Sequence, residues 1–72
     1  TGLFNAEFTI ESEINIQLKV YSALGKLVYE TEKLNHYGEF KHLIDLTNHP
    51  TGIYYVKLKF GSEFYFTKLL KN

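Results

Sequence analysis

A chain of 72 residues and 8.4 kDa is about half the length of an ordinary domain, so it holds one small core and no second unit. Its eight lysines balance eight acidic residues, and it has no arginine. That charge pattern argues against nucleic acid or anionic lipid as a partner, since counterion release and bidentate phosphate binding both need clustered positive charge.

Alternation with a period of two runs through most of the sequence, the pattern of half-buried strands. Phe4, Ala6, Phe8 and Ile10 share one face, and Asn5, Glu7, Thr9 and Glu11 the other. Glu11-Ser12-Glu13 reads as a polar break, after which Ile14, Ile16, Leu18 and Val20 resume the apolar face. Ser22 to Lys26 is a predicted turn in which Gly25 takes a positive φ. Leu27 to Leu34 is the next strand, and Asn35-His36-Tyr37-Gly38 the next break.

Phe40 to Leu46 follows, with Phe40, His42, Ile44 and Leu46 in phase. The connection from Thr47 to Gly52 carries the one proline, Pro50, which cannot join a central ladder. Ile53 to Phe60 is a strand with Tyr54, Val56, Leu58 and Phe60 on one face, and Gly61-Ser62 fits a two-residue type II′ hairpin turn. Glu63 to Leu70 is the last strand, apolar on both faces around Phe64-Tyr65-Phe66, a sign of contact on its outer side. Strands at spacings of roughly 8–14 residues, with no helical periodicity, predict an all-β fold: a small antiparallel β-sandwich, immunoglobulin-like, of six to seven strands, forming one domain over residues 1–72.

Chemistry is sparse. His36, His42 and His49 are six and seven residues apart, which puts no pair at the i, i+2 spacing of strand neighbours sharing a metal. Ser12, Ser22 and Ser62 lie in turns, and most of the glutamates on outer faces or strand ends. Asp45, just before a turn, is expected to bond the Leu46–Asn48 backbone in an Asx-type arrangement. The reading is therefore a non-enzyme, with no catalytic, cofactor or metal residues. Tyr21, Tyr55 and Tyr65 fall opposite the regular apolar stripe, where they would serve either as cross-strand pairs or as a platform for sugar rings in a carbohydrate-binding or adhesion module.

Several segments, taken in order, resemble the C-terminal sorting domain of proteins exported by the type IX secretion system of the Bacteroidetes, in its type A form. Thr1-Gly2-Leu3-Phe4 is similar to the end of that family's opening Asn-Pro-x-x-Gly-x-Phe segment. Val20 to Lys26 with Val28 resembles its tyrosine-led strand and Gly-Lys turn, marked here by Gly25 and Lys26. Ile44-Asp45-Leu46-Thr47 resembles its Ile-Asp-Leu-Ser element, and Pro50-Thr51-Gly52-Ile53-Tyr54 with Val56 its Pro-x-Gly-Ile-Tyr-x-Val signature. Lys68-Leu69-Leu70-Lys71-Asn72 resembles its basic–apolar–apolar–basic ending. Ser22 and His49 stand where the family commonly has Asp or Asn and leucine.

The resemblance implies a sorting signal on secreted or surface cargo, passing through the periplasm, recognised by outer-membrane secretion machinery and removed by a sortase-like peptidase. It implies protein partners, no nucleic acid and no membrane insertion. Lys68, Leu69, Leu70 and Lys71 are the candidate read-out, supported by Gly25, Lys26, Asp45, Pro50, Gly52 and Tyr54. With no initiator methionine and no secretory leader, the chain is expected to be a piece of a longer secreted protein. A long exposed edge strand also makes dimerisation through sheet extension an expectation.

Overall fold

A computed structural model describes residues 2–72; Thr1, named in the opening segment, lies outside the described residues. It contains strands β1 (Leu3–Ser22), β2 (Leu27–Asp45), β3 (Gly52–Phe60) and β4 (Glu63–Lys71), and no helix among the described residues. All pairings are antiparallel, in the order β2-β1-β3-β4.

The expected sandwich of six to seven strands is corrected to one sheet of four. The two anticipated breaks are irregularities inside continuous strands. Ile10 pairs with Gly38 and Ile14 with His36, so Glu11-Ser12-Glu13 on β1 faces Tyr37 alone on β2. This is a bulge: the polar triplet is extruded into solvent while backbone pairing goes on. Asn35, at φ 52°, marks a second register shift, where Ile14 and Ile16 pair with His36 and Lys33.

These bulges let one sheet do the work of two layers. A straight strand the length of the 20-residue β1 would run about 66 Å, yet the longest dimension of the molecule is 36 Å. The β1–β2 ribbon therefore folds back over the rest of the sheet. Ile44 and Leu46, from the far end of the ribbon, share a core cluster with Leu18 and Val20 of β1 and Tyr54 and Val56 of β3. A second cluster of Ile10, Ile16 and Phe40, with Phe8 and Phe60 against it, fills the bend. Ile16, Leu18, Val20 and Leu46 are fully buried, each stabilising the fold by about 1.5–3 kcal/mol relative to exposure.

Across the fold-back, Tyr29 and His42, both on β2, share a hydrogen bond between the hydroxyl and Nε2. The two-residue turn at Gly61-Ser62 forms as expected, with Gly61 at φ 59° and Phe60 paired with Glu63.

Candidate recognition corner and edge strand

Segments distant in sequence meet at one end of the sheet. After β2 the chain turns at once: Asp45 Oδ1 accepts hydrogen bonds from the Thr47 hydroxyl at 2.6 Å and the Thr47 amide at 3.0 Å, the Asx-type arrangement expected there. Those two bonds, the hydroxyl's first, hold the Asp45 carboxyl below its ordinary value, with smaller help from the charges of His49 and Lys71.

The Leu46 amide donates to the Gly2 carbonyl at 2.7 Å, which ties the start of the chain to this turn. Gly2 is buried, at φ 95°, and a Cβ there would lie 2.9 Å from Lys71 Cε and 3.0 Å from the Thr47 nitrogen. Only glycine combines that backbone angle with so close an approach. The Tyr54 hydroxyl donates back to the Pro50 carbonyl, a device that fixes the angle at which the proline loop enters β3. Gly52, at φ 142°, pairs with Lys71 in the β3–β4 ladder.

Lys71 closes the corner. It is only 8% exposed, and its ammonium donates to the carbonyls of Thr47, at 3.3 Å, and His49. Sequence reasoning placed Lys71 in the read-out and overlooked this anchoring. The available signal was its phase, since Lys71 shares the inward parity of Leu69.

The structure thus brings Asp45, Pro50, Gly52, Tyr54 and Lys71 together, with Gly2 as an addition. Gly25, at φ 87°, and exposed Lys26 sit in the β1–β2 turn, whose Ser22 pairs with Tyr54 at the same end of the sheet. The four candidate read-out residues divide by face. Lys68 and Leu70 are exposed on the outer face, opposite Tyr55 and Ile53, whereas Leu69 packs against the core and Lys71 is buried.

β4 is an edge strand, and its outward side chains are strongly exposed: Phe66 is 72% accessible. Beside it, Lys57 Nζ lies 4.8 Å and Lys59 Nζ 5.5 Å from the centre of the Phe64 ring, cation–π contacts that preorganise a basic–aromatic surface.

The tyrosines do not form one platform. Tyr21 and Tyr55 pair directly, but Tyr65 pairs with Leu58 and packs edge-on against Phe60. The reading that placed Tyr65 opposite the apolar stripe is therefore corrected: the short turn sets its register inward. Of the histidines, His36 donates to the Glu39 carbonyl and His42 is bonded to Tyr29. Among the described residues no group of three or more His, Asp or Glu converges on a metal-sized site.

The described residues form an all-β chain with a tied corner at one end of the sheet and a displayed edge strand. The family model described as "Secretion system C-terminal sorting domain" matches residues 4–72, and the chain belongs to that family. It is a C-terminal sorting signal for type IX secretion and marks an exported, secreted or cell-surface protein. No curated protein and no solved structure matches the chain.

Proposed function

We propose that this is a type A sorting domain of a Bacteroidetes protein, read at the outer membrane after its cargo has crossed the periplasm and then removed by a sortase-like peptidase. The domain acts as an address, without catalysis of its own. Lys68, Leu69, Leu70 and Lys71 carry recognition in two ways. Lys68 and Leu70 offer charge and apolar surface to the receptor, while Leu69 and Lys71 hold the strand in position for reading.

The observation that supports this most strongly is the state of β4: unpaired along its outer edge among the described residues, exposed in its middle, yet fastened at Lys71. A strand held this way can add to a receptor sheet through backbone hydrogen bonds, with Lys68 and Leu70 giving specificity. The test is a secretable reporter carrying the domain. Deleting Lys68–Asn72 leaves the reporter in the periplasm, and the pair Lys68→Glu with Leu70→Asp does the same while the fold survives. Undiminished export of the deleted form defeats the proposal.

A further inference from the structure

The folded-back ribbon covers one face of the central strands, and no strand among the described residues covers the other. That open face carries the outward side chains of β1 from Gln17 to Tyr21, of β3 and of β4. Its charged members on these three strands are Lys19, Lys57, Lys59 and Lys68, with no acid among them. The fold has thus sorted the charges of a chain that is neutral overall. Glu63 begins β4 but belongs to the opposite face, where it pairs with Phe60 and lines the apolar groove with Phe8. The acids bordering the open face are Glu30 and Glu32 of β2, across from Lys19 and Gln17. They bound the patch on one side and leave four lysines against two glutamates.

The lysines are crowded. Lys19 stands directly opposite Lys57 in the β1–β3 ladder, a like-charge pairing that weakens a sheet. Lys57 and Lys59 set their ammonium groups over the same Phe64 ring, at 4.8 Å and 5.5 Å. Among the described residues the one ion pair joins Lys41 to Glu39, so none of these four lysines holds a carboxylate. Exposed apolar surface lies between them: Phe66 pairs with Lys57, and Tyr55 with Lys68.

We infer that this face docks an acidic polypeptide segment of the export machinery, lying across β3 and β4; the inference rests on the function proposed above. Carboxylates of the segment meet Lys19, Lys57, Lys59 and Lys68, and its apolar side chains cover Phe66 and Tyr55. Docking relieves the repulsion that the free domain carries. The groups present select the ligand class. Phosphate is gripped best by the guanidinium fork, and the chain has no arginine. A sugar needs polar groups placed around its ring, and the one side-chain amide on this face, Gln17, already donates to Glu32 at 3.4 Å. Lys68 belongs both to this face and to the β4 read-out, so the two contacts are continuous.

Titrating the unaltered domain with labelled poly-L-glutamate tests this, with polygalacturonate and phosphatidylglycerol vesicles as rival polyanions. The expected result is preferential binding of poly-L-glutamate, weakened by salt, with nuclear magnetic resonance shifts at the four lysines. The pair Lys57→Gln with Lys59→Gln should lower that affinity at least about tenfold, whereas Lys33→Gln with Lys41→Gln should leave it unchanged. A domain that ignores poly-L-glutamate, or prefers either rival, overturns the inference, as does binding that the first pair does not weaken. In the export assay the Lys57→Gln, Lys59→Gln reporter should be retained although Lys68 and Leu70 are intact. Its full export overturns the inference and leaves the proposed function standing, whereas retention of the unaltered reporter overturns both.

Discussion

Lys71 is bound to His49 across 22 positions of sequence, its ammonium donating to the histidine's carbonyl. The same nitrogen reaches the Thr47 carbonyl at 3.3 Å. The last strand is thereby fixed at its end while Phe66 and Lys68 remain open to solvent. Replacing Lys71 with methionine keeps the apolar stem and removes the donors, leaving two partly buried carbonyls without them. We expect a loss of about 1–3 kcal/mol in urea unfolding; an unchanged midpoint and slope would contradict the anchoring role.

Glycine is required at Gly2 for two reasons, its φ of 95° and the contact at 2.9 Å. At Gly61, φ 59°, a Cβ meets nothing within 4 Å. Gly61→Ala should therefore carry only the backbone cost, roughly 1–2 kcal/mol, and Gly2→Ala distinctly more, because Thr47 backbone cannot swing away as a side chain can. Equal losses by thermal or urea unfolding would count against the close packing at the corner.

The reading of faces in the sequence held along β1 and failed at Tyr65 on β4. The apolar stripes from Phe4 to Ile10 and from Ile14 to Val20 both point inward. What alternation cannot report is whether backbone pairing continues past a polar residue. Glu11-Ser12-Glu13 reads as a break because three hydrated side chains interrupt the stripe, but the interruption is a bulge, and pairing resumes at Ile14 with His36.

On β2 the inward parity changes from Tyr29 and Thr31 to Phe40, His42 and Ile44 around Asn35, a shift visible only once the partner strand is known. Tyr65 was legible in principle: a two-residue turn at Gly61-Ser62 pairs Phe60 with Glu63 and so forces Tyr65 opposite Leu58. At the candidate site, the Pro50–Tyr54 and Asp45 elements could be recognised from local spacing. Their union with Gly2 and Lys71 could not, since it depends on the fold-back.

Asp45 gives the corner a pH dependence. Its carboxyl is held below the ordinary value of 3.8, chiefly by the Thr47 hydroxyl and then by the Thr47 amide. A group lowered on folding contributes stability above its unfolded value and loses it as pH falls through its folded one. The fold should thus weaken below about pH 4. Asp45→Asn, which keeps an acceptor oxygen, should flatten that part of the curve. Thermal midpoints measured from about pH 2 to about pH 6 check this; identical slopes for both chains would refute it.

Leu46 joins the end of the ribbon to the central strands and is wholly buried, whereas Leu24 at the β1–β2 turn is 97% exposed. Leu46→Ala should cost about 2–5 kcal/mol, and Leu24→Ala less than about 0.5 kcal/mol. Comparable effects in denaturant titrations would mean that the fold-back is not held by this cluster.

The central claim is that these residues are an address that other proteins read. Its most direct measurement fuses the chain to the C-terminus of an unrelated periplasmic reporter, in a bacterium with an active type IX system and in the same strain lacking it. The account predicts reporter in the medium or on the surface of the first strain, and reporter retained in the periplasm of the second. Retention in both strains, or equal release from both, would contradict it.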